Sequence, residues 1–193
     1  MSNRANLLED NLYTLFREDV EHPSADLAKP IGENLTLTGY RFLDLLETLY
    51  VVRHLDIEAR SLKDRDEGYY TIASSGHEAN AAVAAALRPT DPAFLHYRSG
   101  GFFIERARQV PGQTPIFDVL LSLTASSADP ISGGRHKVFG SVPLGIYPQT
   151  STIASHFPKS VGHAISLERA KHLGLPLPFP DDAIIVCSAG DAS

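Results

Sequence analysis

The run AIIVCS at residues 183–188, which is followed at once by AGD at residues 189–191, decides the fold class. A short, unbroken apolar run of this length is typical of a strand that is buried on both faces of a helix-covered sheet. Two aspartates precede the run and Gly190 follows it, so the predicted strand has clear limits. On this interpretation the single cysteine, Cys187, is a buried and unreactive thiol.

A second predicted strand lies at residues 93–97, AFLHY, and Arg98 follows it directly. In parallel sheets the carboxyl ends of the strands meet at one edge, where ligands collect. One predicted strand end carries a guanidinium, Arg98, and the other carries a carboxylate, Asp191. This pair suits a phosphate ligand that is bound together with Mg²⁺.

Helices are predicted around these strands because apolar or alanine residues recur there at helical spacing. The predicted helices cover residues 38–63, 76–87, 99–108, 115–125 and 158–173. Ser75 and Glu78 have the spacing of a capping box at the start of the second helix. Residues 126–152, by contrast, are predicted as a long loop, since they contain prolines and paired glycines and few periodic apolar positions.

The alternation of strands and helices predicts an α/β fold, with a mainly parallel sheet flanked by helices, over residues 35–193. Residues 1–34 mix charged and polar side chains, and we expect them to form an N-terminal arm.

Composition and charge exclude several classes of protein. Hydrophobic residues at 43% and charged residues at 21% are ordinary values for a globular protein, and a net charge of −6 argues against a nucleic-acid binder. No apolar stretch approaches the ~20 residues of a membrane span. The first ten residues include Glu9 and Asp10 and lack a signal-peptide pattern. We therefore expect a cytoplasmic protein without nucleic-acid or membrane partners.

Several further segments occur in a distinctive order. They are SSGHEA at 74–79, RPTD at 88–91, Tyr97-Arg98, ADPISGGR at 128–135, STIASHFP at 151–158, VGHAI at 161–165 and GDAS at 190–193. In this order they resemble the alpha-type subunit of the thiamine-diphosphate-dependent E1 component of 2-oxo acid dehydrogenase complexes. The resemblance covers about residues 38–193 and is strongest to the branched-chain type. It implies the thiamine-diphosphate-binding fold.

The resemblance implies a cofactor site at the two strand ends. Tyr97 and Arg98 would contact thiamine diphosphate, with Arg98 pairing with the diphosphate. Asp191 would ligate Mg²⁺, beside Gly190 and beside Ala192, which stands where relatives have a third motif glycine. Ile153 would be the apolar wedge that bends the cofactor.

The resemblance also implies roles for the loop that precedes the last predicted helix. Ser151 and Ser155 would hold a structural monovalent cation such as K⁺. His136 and His156 are candidates for the catalytic, substrate side of the pocket, because histidine titrates near neutral pH. For each of these two histidines a purely structural role explains its presence equally well.

The function implied is decarboxylation of a 2-oxo acid with transfer of the acyl group to a lipoyl group. A branched-chain 2-oxo acid is the first expectation for the substrate, and pyruvate is the second. The partners implied are a beta-type E1 subunit, or a fused beta-type domain downstream, and the lipoyl-bearing E2 component. Relatives take a further Mg²⁺ ligand from an asparagine beyond this motif, so we expect a C-terminally truncated chain that is inactive alone.

Two other classes of function remain open at this point. A transketolase-like enzyme uses the same cofactor but transfers a two-carbon unit, and needs no lipoyl acceptor. A non-catalytic α/β domain would keep the fold as a scaffold or binding module, and would not bind thiamine diphosphate with Mg²⁺.

Overall fold

The computed structural model describes residues 6–7, 10–11, 13–14, 26–33, 35–69, 72–135 and 138–190. The chain divides into two compact units, Met1–Asp44 and Leu45–Ser193. In the first unit, Pro30 and Thr38 form an isolated antiparallel bridge, and the amide of Ile31 donates to the carbonyl of Leu37 at 3.0 Å. These contacts close a short loop. The features that follow belong to the second unit, apart from residues 39–44, which begin the first long helix.

Five helices match the five predicted from apolar spacing. Helices α1 to α5 span Gly39–Asp64, Asn80–Ala86, Gly100–Arg108, Pro115–Leu123 and Phe157–His172. The predictions differ from these bounds by at most two residues, except that the second helix begins at Asn80 and not directly after Ser75. Within the described residues, no helix combines the length and the apolar character that a membrane span requires.

The predicted capping box before α2 is wrong. A 3₁₀ turn, His77–Ala79, precedes this helix, and Ser75 and Gly76 before it have positive φ angles of 49° and 96°. The Glu78 carboxylate therefore accepts from the amide of Gly76, at 2.6 Å, and not from that of Ser75. The same carboxylate pairs with Arg53 of α1.

Among the described residues, four strands form one sheet in the order β2-β3-β1-β4. Strands β1 to β4 span Ala93–Phe94, Phe139–Ser141, Ile146–Gln149 and Val186–Cys187. β1 pairs in parallel with both β3 and β4, and β2 pairs antiparallel to β3. The prediction of an α/β fold with a mainly parallel, helix-flanked sheet is confirmed.

The prediction of a loop throughout residues 126–152 is wrong, because β2 and β3 lie within it. β3 is only four residues long and contains Pro148, so it has no local pattern that indicates a strand. Its extended state depends on pairing with β1, in which Ala93 lies beside Ile146 and the Ala93 amide donates to the carbonyl of Gly145 at 2.8 Å. Tertiary pairing therefore decides the structure here.

The prediction that Cys187 is buried is also wrong, since this residue is exposed. β4 is an edge strand in the described sheet, with β1 on one side. Its two residues, Val186 and Cys187, are half-buried and exposed respectively. The apolar run thus predicted the strand correctly but not its position in the sheet.

The two faces of the central strands pack against different helices. Ala93, Leu95 and Ile146 join the main core, together with buried side chains of α1, α3 and α4 that include Val52, Ala59, Phe102, Ile104, Val119 and Leu123. Phe94 and Tyr147 point to the other face, where their rings stack with centroids 4.7 Å apart. There the ring of His163 in α5 lies 4.8 Å from that of Tyr147.

Arg106, whose side chain is fully buried, connects the amino ends of the central strands. Its Nη1 donates to the carbonyls of Pro89, Asp91 and Leu144, at 3.2, 3.0 and 3.2 Å. Its guanidinium carbon lies 4.9 Å from the ring centre of Phe102. The first two acceptors precede β1 and the third precedes β3.

Asp91 connects β4 to the same end of the sheet. Its buried carboxylate accepts from the Ile184 amide at 3.0 Å, and it forms a 2.9 Å ion pair with Arg88. Burial alone would raise the pKa of this carboxyl, but Arg88 and the Ile184 and Arg88 amides outweigh burial and lower the pKa. Asp91 is therefore ionised over the physiological pH range.

Candidate functional site

The three parallel strands end at one edge of the sheet, which we call the carboxyl edge. Residues 95–98 follow β1, residues 150–156 follow β3 and residues 188–190 follow β4. Because β1 lies between β3 and β4, the segment with Tyr97 and Arg98 lies between the other two. The carboxyl edge is where ligands bind in open parallel sheets.

His96 occupies the centre of the carboxyl edge and is only 3% exposed. Its amide donates to the Ser188 hydroxyl at 2.9 Å, and its Nδ1 accepts from the Arg98 amide at 3.4 Å. Its ring centre lies 3.8 Å from that of Tyr97 and 5.4 Å from that of His77. An acceptor at Nδ1 places the ring proton of the neutral imidazole on Nε2.

Burial, together with the nearby His77, Arg98 and His156, lowers the pKa of His96 to about 4. The imidazole is therefore neutral at pH 7. It adds a hydrogen-bond donor, and no charge, to the carboxyl edge.

The lowered pKa of His96 predicts an acid-dependent loss of stability. Unfolded histidine takes up a proton near pH 6.5, whereas folded His96 resists protonation down to about pH 4. A lowered folded pKa gives stability that is complete above the unfolded pKa and is lost as the pH falls towards the folded one. We therefore expect the difference in unfolding free energy between wild type and His96→Gln to shrink between pH 7 and pH 4.5.

Urea unfolding at several pH values measures this difference. His172→Gln is the matched control, because His172 is a surface histidine at the end of α5. A difference between wild type and His96→Gln that stays constant across this range would contradict the prediction.

Arg98 lies next to His96 and is half-buried. Its Nη1 donates to the carbonyl of Ala73, and its guanidinium carbon lies 5.3 Å from the ring centre of Tyr97. A guanidinium has five N–H donors. Within the described part of the chain, Arg98 uses one of its terminal nitrogens for hydrogen bonding, so further donors are available for an anion.

Ser188 directly follows β4 and contacts β1, the residues before α3 and the residue before α5. Its amide donates to the carbonyl of Phe94 at 3.0 Å. Its hydroxyl lies 2.8 Å from the hydroxyl of Ser99, the residue before α3. Its carbonyl lies 2.6 Å from Nε2 of His156. Gly190 follows two residues later and is half-buried.

His156 precedes α5 and is 1% exposed. A carbonyl can only accept, so Nε2 carries the proton in the contact with Ser188. The neutral imidazole therefore has its lone pair on Nδ1. This Nδ1 is buried and has no hydrogen-bond partner among the described residues. It is a buried acceptor at the carboxyl edge.

The loop after β3 brings together Ser151, Ile153 and Ser155. The Ser155 hydroxyl donates to the carbonyl of Thr152 at 3.0 Å and accepts from the side chain of Gln149, the buried last residue of β3. Ser151 is half-buried, whereas Ile153 has 54% of its side chain exposed. Ser155 thus helps to hold the loop, which presents an apolar side chain outward.

The described part of the carboxyl edge includes Tyr97, Arg98, Ser151, Ile153, Ser155, His156 and Gly190. His136, Asp191 and Ala192 lie outside the described residues. Among the residues that are described, no group of three or more His, Cys, Asp or Glu side chains is arranged to hold a metal ion. The Mg²⁺ and K⁺ sites stay predictions.

The sequence predicts no role for His96, Ser99 or Ser188. A histidine between an apolar strand and Tyr97-Arg98 was a usable signal, and so was a serine at the end of the apolar run at 183–188. No signal in the sequence indicates the direct contact between Ser99 and Ser188, since these residues are 89 positions apart.

No model of a known protein family matches this chain.

Proposed function

We propose that this chain is the alpha-type, thiamine-diphosphate-binding part of an E1 component of a 2-oxo acid dehydrogenase complex, with the thiamine-diphosphate-binding fold. One observation carries the proposal. Parallel pairing of β1 with β3 and β4 assembles at one edge the segments that the resemblance assigned to the cofactor. These are Tyr97-Arg98, the loop at 151–155 and the strand end with Gly190.

The residues at the carboxyl edge fit a phosphate-bearing ligand. Arg98 has guanidinium donors to spare beyond its bond to Ala73, and a guanidinium binds phosphate oxygens in pairs. Gly190 has no side chain, so a ligand can approach its backbone closely. Asp191 would ligate Mg²⁺, and this part of the proposal rests on its position directly after Gly190.

The chain's own residues would bind and orient the cofactor, which when bound supplies the nucleophilic carbon and the electron sink for decarboxylation. Arg98 would neutralise the diphosphate, and the exposed side chain of Ile153 would pack against the cofactor. In the neutral form of the ring, the buried Nδ1 of His156 can accept a hydrogen bond. His136 remains the second candidate on the substrate side.

The proposed reaction is decarboxylation of a 2-oxo acid and acyl transfer to a lipoyl group. The first proposed substrate is a branched-chain 2-oxo acid and the second is pyruvate. The proposed partners are a beta-type subunit or domain and the lipoyl-bearing E2 component, in the cytoplasm. Ser151 and Ser155 are proposed to hold K⁺.

Binding of thiamine diphosphate to a full-length preparation together with its beta-type partner, measured by titration calorimetry with and without Mg²⁺, tests the proposal. We expect binding to require Mg²⁺, because the diphosphate is held jointly by the metal and Arg98. Thiamine monophosphate is the matched ligand and should bind about tenfold more weakly or worse, since it loses at least one charge-assisted contact. Equal affinity for the two ligands, or no Mg²⁺-dependent binding, would overturn the proposal and favour a scaffold.

A further inference from the structure

Ser188 makes four polar contacts, and each links it to another part of the carboxyl edge. Its amide and hydroxyl contact β1 and the segment after it, through Phe94 and His96, at 3.0 and 2.9 Å. Its hydroxyl also contacts Ser99, which precedes α3, at 2.8 Å. Its carbonyl contacts His156, which precedes α5, at 2.6 Å.

We propose that Ser188 is a positioning residue, which sets the place of the Gly190 backbone relative to Tyr97 and Arg98. This inference rests on the proposed function, since it concerns the same ligand site. Ser188 lies two residues before Gly190, and two residues of extended chain span about 6.6 Å. A shift of Ser188 therefore moves the strand end that would lie against the diphosphate.

The hydroxyl of Ser188 acts through other residues and not on the ligand. It accepts from the His96 amide and shares a hydrogen bond with Ser99, which has no exposed surface. Both neighbours are buried, so water cannot replace these bonds when the hydroxyl is removed. The hydroxyl thus holds the segment after β1 and the end of β4 at a fixed separation.

The carbonyl of Ser188 has a second effect, on His156. Because it accepts from Nε2, it selects the tautomer that leaves the Nδ1 lone pair available. One residue therefore fixes both the strand end beside Gly190 and the orientation of the buried imidazole.

The affinity for thiamine diphosphate in the presence of Mg²⁺ tests this inference in three variants. Ser188→Ala should bind about tenfold more weakly, the effect of one buried hydrogen bond whose partners are left unpaired. Ser188→Thr keeps a hydroxyl and should bind within a few-fold of wild type. Ser166→Ala is the matched control, because Ser166 is an exposed serine of α5 that bonds only within its own helix, to the carbonyl of Gly162.

Hydrogen exchange of the backbone amides provides a readout that needs no cofactor. Ser188→Ala should speed exchange at residues 96–98 and 189–190 by about tenfold, and leave the core of α3 unchanged. Ser99→Ala, which removes the partner hydroxyl and leaves Ser188 in place, should give a smaller change at the same amides. If Ser188→Ala does not fold, Ser99→Ala serves as the test variant in its place.

The outcomes separate this inference from the proposed function. If wild type shows no Mg²⁺-dependent binding, the proposed function fails, and hydrogen exchange alone decides whether Ser188 positions the strand ends. If wild type binds and Ser188→Ala binds equally well with unchanged exchange, the positioning role is overturned. A loss of affinity that Ser188→Thr restores, together with local exchange changes, supports it.

Discussion

Arg98→Ala is expected to weaken the binding of thiamine diphosphate by about a hundredfold, because a charge-assisted, paired contact with the diphosphate is lost. Arg98 lies at the end of β1, between the segments that follow β3 and β4. Its side chain is half-buried, so solvent screens its charge less than that of a surface arginine. Arg98→Lys keeps the charge but lacks the planar guanidinium. Its affinity for thiamine diphosphate should lie between those of wild type and Arg98→Ala.

Titration calorimetry in the presence of Mg²⁺ measures the loss, and the melting temperature shows whether the fold persists. Arg108→Ala is the matched control. Arg108 is the last residue of α3 and pairs with Glu47 at 2.8 Å, whereas Arg98 lies two residues before the start of this helix. The control should leave the affinity unchanged. An Arg98→Ala protein that stays folded and binds thiamine diphosphate as tightly as wild type would remove Arg98 from the site.

Gly101→Ala is expected to lower the free energy of unfolding by about 2–3 kcal/mol, the cost of forcing an extra methyl group into a packed interior. A Cβ at position 101 would lie 2.3 Å from the carbonyl oxygen of Glu78 and 3.2 Å from its Cα. Both atoms are backbone, so no side-chain rotation relieves the clash. Either α3 or the turn at His77–Ala79 must move.

Gly162→Ala is the matched control, in the middle of α5. A Cβ at this position meets no atom within 4 Å, so only the helix preference of alanine acts. This variant should be more stable than wild type by about 0.5–1 kcal/mol. Urea unfolding of both variants gives the comparison. If Gly101→Ala were as stable as Gly162→Ala, the close approach of α3 to the turn would be refuted.

The helices could be predicted from the sequence because their signals are local. In α5, for example, Pro158 lies in the first turn and Gly174, with a φ of 64°, follows the end. β3 could not be predicted, since its residues become a strand only through pairing with β1. The exposure of Cys187 depends likewise on which strands flank β4.

The residues of the candidate site likewise divide into those that a local sequence signal indicates and those that it does not. Arg98 and Gly190 follow recognisable strands, so the rule that ligands collect at carboxyl ends was enough to single them out. The bond between His96 and Ser188 joins residues 92 positions apart, and no spacing in the sequence encodes it. The metal ligand, Asp191, stays a prediction because it lies outside the described residues.

Arg106 bears on how the two ends of the parallel strands are fastened. Its one buried cation is shared by three carbonyls that precede β1 and β3, far from the carboxyl edge. At the opposite ends, the segments after β1 and β4 are joined by the Ser188 hydroxyl, which bonds to His96 and Ser99, and by the backbone bond from Ser188 to Phe94. The buried charge that fastens these strands therefore lies at the end away from the proposed ligand, and neutral hydrogen bonds fasten the end at which the ligand would bind.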